Sequence, residues 1–296
     1  MSMFKKTTLA LAISAIAGGA LAQSAPAPAP APSPITANVT VVNDYRYRGI
    51  SQSNFQPAIQ GGFDYAHESG FYIGNWNSSI SWLSDGYSVA NTTLISAPVE
   101  MDFYAGFKKE LIAPGFASDI GVLQYYYPIS GSLNASQNNT AARRANEARQ
   151  ATGQSPNTTE AYIAQNFTFG PVTGFVKFSY ALTNLFGFYD SKGSYYPDLT
   201  VNYDTGVWDL TLNGHVGYQY ISNTKSTGTQ KYDFSYTDYK LGITKDFGGG
   251  LIGNISYVST SNPKVGTAYL WSTTTTQTAQ SGSGKSGGLI SLTKTF

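Results

Sequence analysis

The 296-residue chain has no cysteine, two histidines and only 12% charged residues, about half the usual charged share. Without cysteine there is no disulfide framework, no thiolate metal cluster and no Cys nucleophile. The 18 Lys+Arg and 17 Asp+Glu nearly cancel. That balance excludes both a disordered polyelectrolyte and an obvious nucleic-acid binder. Beyond the first 22 residues no apolar run approaches the roughly 20 residues of a transmembrane helix. What the chain has in quantity is aromatic side chains, 14% of the total with 22 Tyr among them.

Residues 1–22 read as a secretory signal. Lys5 and Lys6 form the positive n-region, Leu9 to Ala17 the apolar h-region, and Ala20-Leu21-Ala22 the small-residue cleavage site. Its removal would leave 16 Lys+Arg against 17 Asp+Glu. No Cys follows the cleavage site, so no lipoprotein anchor is expected. Residues 23–36 form an Ala/Pro-rich linker, with alternating Ala-Pro from Ala25 to Pro34. Such a repeat favours extended polyproline II and acts as a semi-rigid spacer. It is either a tether for a periplasmic contact or a plain leader.

From Asn38 onward the pattern has period 2. In 208–220, Trp208, Leu210, Leu212, Val216, Tyr218 and Tyr220 share one face, and Asp209, Thr211, Asn213, His215 and Gln219 the other. The same alternation predicts strands over 37–49, 57–67, 70–82, 96–108, 115–127, 158–169, 171–183, 194–204, 207–220, 232–246, 250–260 and 285–296. Segments 115–127 and 158–169 are ambiguous. The first puts Leu123, Tyr125 and Tyr127 on the face of Asp119, and the second has no clean polar face. Short connections alternate with long ones, the longest being 128–157.

That alternation is what a transmembrane barrel needs, with tight periplasmic turns and long extracellular loops. Closure also pairs every backbone N–H and C=O, which hydrocarbon demands. The expected fold is therefore all-β: one antiparallel up-and-down transmembrane barrel over 37–296. About twelve strands are expected, or ten or fourteen if the ambiguous segments are read otherwise. Period 2 alone also suits an exported soluble β-protein. The terminal Phe296 on the apolar face and Tyr and Phe clusters at strand ends, as in an aromatic girdle, favour the membrane. Lys294 departs from an apolar ending but can snorkel at the interface.

Val41-Val42-Asn43-Asp44-Tyr45-Arg46-Tyr47-Arg48-Gly49-Ile50-Ser51-Gln52-Ser53 resembles the opening of the TorF-type porin family of proteobacteria. Phe71-Tyr72-Ile73-Gly74-Asn75-Trp76, followed by Ser78 and Ser79, resembles its second signature. The specific likeness covers about residues 39–82. It implies a β-barrel in the outer membrane of a Gram-negative bacterium, and it says less about any solute.

A twelve-stranded barrel falls between the filled eight-stranded and the open sixteen-stranded kind, so a narrow passage is expected. The expected function is a porin for passive diffusion of small polar solutes or ions. No chemical step, metal or cofactor is implied. Arg46, Arg48, Glu100, Asp102 and His215 are the residues expected to line the passage. Arg46 and Arg48 would end one strand while Glu100 and Asp102 begin another, so the two pairs could face each other as a constriction or as stiffening ion pairs. Acids outnumber bases among the inward positions, which include Asp64, Asp119, Asp198, Asp209 and Asp238. That excess hints at a weak cation preference. The outer wall would meet outer-membrane lipid and lipopolysaccharide. Oligomeric state is not encoded in any visible pattern.

Other signals are thin. Ala141 to Arg149 suggests a short helix in the long loop, as a gate or as a plain surface segment. His67-Glu68-Ser69 prompts comparison with outer-membrane lipid hydrolases, but it falls in a predicted turn with no assignable acid. A lipid-modifying barrel enzyme and a non-conducting structural or adhesive barrel are the rival readings.

Overall fold

Alternating side chains and short turns place each strand beside the next, and the ring then closes on itself. A computed structural model describes residues 33–86, 88–89, 92–93, 95–131, 155–188, 190–222, 234–262 and 282–296. The barrel strands are β1 (Ile35–Val42), β2 (Ala58–Ala66), β3 (Phe71–Ser79), β4 (Val99–Ala113), β5 (Phe116–Tyr126) and β6 (Thr158–Phe169). They continue as β7 (Val172–Ala181), β8 (Tyr195–Asp204), β9 (Leu210–Gln219), β10 (Tyr236–Asp246), β11 (Leu251–Thr260) and β12 (Gly287–Thr295). Each pairs antiparallel with its neighbour, and β1 pairs with both β2 and β12 to close the barrel. Phe296 seals the seam with its N–H on the Ala37 carbonyl at 2.8 Å.

Connections 67–70, 114–115, 170–171, 205–209 and 247–250 lie at one end of the barrel, and the long ones lie at the other. The turns use glycine where the chain needs a left-handed residue, as at Gly170 with φ 56°. The expected signal, most of the Ala/Pro linker and the helix proposed over 141–149 lie outside the described residues.

Side-chain burial is inverted relative to a soluble protein. Ile59, Ile73, Ile120, Ile163, Leu241 and Ile255 are exposed on the outer wall, while Glu100, Glu160 and Asp238 are buried inside. This is the distribution a barrel needs with lipid outside and a polar lumen. Phe169, Trp208, Phe247 and Phe296 ring the short-turn end from outside. Lys294 donates to the Gly249 carbonyl, and its ammonium lies 5.6 Å from the Phe296 ring.

Three expectations need correcting. The first strand stops at Val42 instead of running to 49, although the alternation of residue types continues. Arg48 (φ 45°) and Gly49 (φ 79°) turn the chain back, so Arg46–Tyr47 pairs with Ile50–Ser51 as a small hairpin. A Cβ on Gly49 would lie 2.7 Å from Thr260 Cγ2 and 2.8 Å from Asp238 Cβ. The hairpin is thus pressed against the inner wall at the long-loop end.

Secondly, Trp208 and Asp209 belong to a turn with positive φ and not to β9. Asp209 faces solvent and pairs with Lys245 at 3.1 Å. Thirdly, Tyr45, Tyr125, Tyr127 and Tyr196 are buried inside and form no outer girdle, unlike the exposed Tyr126 and Tyr218.

Tyr45, Tyr125 and Tyr127 belong to an apolar cluster under the long connections, with Trp82, Leu83, Leu185 and Phe188. Their rings meet edge to face: Tyr47 on Tyr125 at 5.5 Å, Tyr125 on Phe186 at 5.1 Å, Trp82 on Tyr127 at 5.5 Å. The ambiguity of 115–127 in the sequence has this cause, since its inward face is itself aromatic.

Candidate lumen site

Below the aromatic cluster the lumen is lined by even-numbered positions of β4, β6, β8, β10 and β11 and odd-numbered positions of β5, β7 and β9. It encloses a cavity of about 300 Å³. Its polar groups fall into four sets.

At the top, Arg48 holds both Glu160 carboxylate oxygens and donates to Gln219 Oε1 at 2.6 Å. Its guanidinium also lies 4.1 Å over the Tyr196 ring. Arg46 donates to Asp44 Oδ2 at 2.5 Å and to the carbonyls of Gly49, Ser283 and Lys285, which ties the hairpin to the end of another connection. Glu100 accepts from the Tyr45 and Tyr127 hydroxyls, each at 2.6 Å.

The second set centres on His215. Asp198 Oδ1 lies 3.0 Å from Nδ1 and Asp238 Oδ1 lies 2.9 Å from Nε2. Thr200 Oγ1 lies 3.1 Å from Nδ1 and Tyr196 Oη 3.1 Å from Nε2, so each ring nitrogen meets one carboxylate and one hydroxyl. Neither nitrogen is left for a metal. Among the described residues no group of three His, Asp or Glu is arranged to hold one.

A third set uses tyrosines against acids and a lysine. Tyr72 donates to Asp119 at 2.7 Å and is hydrogen-bonded to Tyr162, while Tyr104 donates to Asp64. Lys177 Nζ lies 4.1 Å over the Tyr162 ring. Nearest the short-turn end, Asn213 joins Asn202 (2.8 Å), Thr244 (2.7 Å) and Asn254 (3.2 Å) in a neutral network.

Glycines make room for these phenols. A Cβ on Gly106 would lie 2.2 Å from Tyr72 Oη, on Gly121 2.5 Å from Tyr162 Oη, and on Gly217 2.0 Å from Tyr196 Oη. Each tyrosine lies flat across a neighbouring strand because that strand has no side chain there.

All five expected lining residues therefore turn inward, but they do not meet as two facing pairs. Arg48 goes to Glu160 and Arg46 to Asp44. Glu100 is held by two phenols, and Asp102 Oδ1 has no hydrogen-bond partner among the described residues. Glu160 escaped the sequence reading because its strand shows no clean polar face. The recurrent inward Gly and Tyr are the signal that would have exposed this network. His67 Nδ1 and Ser69 Oγ lie 2.8 Å apart, with the Ser69 N–H also on Nδ1. Those contacts brace the turn.

Residues 26–296 match the family described as bacterial protein of unknown function (Gcw_chp). The chain belongs to that family. No curated protein matches it by sequence. Among solved structures, the NanC porin matches at a TM-score of 0.50 and 9% identity, covering 88% of this chain and 98% of that one. The KdgM porin matches at 0.47 and 7%, covering 88% and 98%. An outer membrane channel from Pseudomonas putida F1 matches at 0.47 and 12%, covering 93% and 100%. At these identities the likeness shows the barrel fold alone.

Proposed function

We propose that this Gcw_chp-family chain is an outer-membrane porin that passes small polar solutes or ions by diffusion. The observation that carries the reading is a closed twelve-stranded barrel whose polar, charged inner wall encloses a cavity of about 300 Å³. A barrel built only as a scaffold can fill its interior with side chains, as eight-stranded barrels do. Here the aromatic packing is concentrated under the long connections, and the wall below them is polar.

The likeness of residues 39–82 to TorF-type porins supports the same reading. So does the signal-like N-terminus, which would direct the chain through the periplasm. The outer wall would meet lipid and lipopolysaccharide, and the Ala/Pro linker would offer a periplasmic contact. No chemical step is assigned to the protein, since diffusion needs none.

The test is to refold the mature chain into a planar bilayer and record single-channel current in symmetric salt. Discrete steps support the porin. Silence from a chain shown to be inserted, by its heat-modifiable gel mobility, would overturn it in favour of a structural barrel.

A further inference from the structure

We infer that the lumen cavity is an anion site, so that the passage favours anionic over cationic solutes. This rests on the porin reading and reverses the preference expected from counting inward acids in the sequence.

The decisive point is which charges face the cavity and which are already engaged. The wall of the cavity carries Arg46, Arg48, Lys108, Lys177 and Lys240. Among the described residues four carboxylates line it: Asp44, Asp102, Asp198 and Asp238. Asp44 is taken by Arg46, and Asp198 and Asp238 both by His215. Glu100, Glu160, Asp64 and Asp119 also turn into the barrel, but they are held by phenols or by Arg48 and do not line the cavity.

The three lysines are different. Among the described residues none has a carboxylate within 4.0 Å. Lys108 lies across the β4–β5 ladder from Asp119, whose Oδ1 accepts from Tyr72. Lys177 rests on the Tyr162 ring, a contact that leaves its N–H donors available. Lys240 is the cross-strand partner of His215, so it faces no carboxylate across the β9–β10 ladder. Asp102 is the remaining carboxylate. It stands six residues along β4 from Lys108, about 20 Å at strand rise, near the aromatic end.

Lys108, Lys177 and Lys240 sit on β4, β7 and β10, each three strands from the next, so together they span one half of the ring. Ammonium groups along one half of a lumen, with Asp119 and Asp198 as cross-strand neighbours of Lys108 and Lys177 but no carboxylate within 4.0 Å among the described residues, are what a passing carboxylate, phosphate or halide would contact. Basic side chains lining a pore select anions in this way.

The experiment is a reversal potential in a potassium chloride gradient, with wild type and a Lys108→Gln/Lys177→Gln/Lys240→Gln variant compared. Wild type is expected to pass chloride in preference to potassium, and the variant to lose about threefold or more of that ratio. The variant Lys245→Gln, at the short-turn end of β10 and outside the cavity lining, should leave it unchanged. If the triple variant does not fold, the single variants are each expected to lower the ratio in part. Cation preference in wild type, or ratios that do not move, would overturn the inference while leaving the porin intact. If inserted wild type is silent, the porin reading fails, and titration of inorganic phosphate into the detergent-folded chain decides the anion site. Heat in wild type that is lost in the variant supports it, and no heat in wild type overturns it.

Discussion

Arg48 and Glu160, 112 residues apart in sequence, meet inside the barrel with one guanidinium on both carboxylate oxygens, at 3.0 and 2.7 Å. Both side chains are buried, 7% and 1% exposed. Removing one partner strands the other charge, which costs about 3–5 kcal/mol, whereas replacing both by apolar groups costs far less. Arg48→Ala should therefore lower the urea midpoint of the detergent-folded barrel more than Arg48→Met/Glu160→Met does. The same single variant frees the hairpin at 46–51 from the wall, and its single-channel conductance should rise. Equal midpoints for the two variants would show that the pair carries no such penalty.

Glu100 offers a second test of the same physics. It is 2% exposed, and its oxygens accept from Tyr45 and Tyr127. A hydrogen bond to a charged group contributes about 1.5–3 kcal/mol. Tyr45→Phe/Tyr127→Phe should lower the temperature at which the heat-modifiable band shifts. Adding Glu100→Gln should recover part of the loss, because a neutral amide is cheaper to leave unsatisfied. No recovery would mean that the phenols act only by packing.

How much of this was legible in the sequence depends on the position. Strand number, the short and long connections, and the outward apolar face were all readable, because lipid imposes one side of a period-2 pattern. The lumen imposes less. Its wall mixes Glu160, Tyr162 and Ala164 on one strand, and at the long-loop end it packs Tyr125 and Tyr127 like a soluble core. Period 2 also continues from Val42 through Arg48, so alternation could not reveal that Arg48 and Gly49 turn the chain inward. Partner choice was hidden for a further reason. Arg48 reaches Glu160 and Gln219 across the lumen, and no local spacing encodes a contact across a ring.

The glycine–tyrosine pairs predict an asymmetry among glycines. A methyl on Gly121 would lie 2.5 Å from Tyr162 Oη, while one on Gly214 would meet nothing nearer than 3.9 Å. Overpacking a filled site costs about 1–3 kcal/mol. Gly121→Ala should therefore slow refolding into vesicles and lower the unfolding midpoint, and Gly214→Ala should do neither. Equal behaviour would mean that Tyr162 swings aside without loss, and the phenol network would then be looser than its hydrogen bonds suggest.

The orientation of the wall can be tested at two adjacent residues of β10. Leu241 is 69% exposed on the outside, and Lys240 points into the cavity. An arginine facing lipid near the bilayer midplane costs about 2–4 kcal/mol, but a lumen substitution does not pay that cost. Leu241→Arg should sharply reduce folding into lipid vesicles, while Lys240→Arg should fold like wild type. An exported soluble β-protein would behave in the opposite sense at Leu241, since an exposed leucine in water accepts arginine with little effect. The contrast therefore separates the membrane barrel from its soluble rival with a single folding yield, measured in vesicles and independent of any conductance.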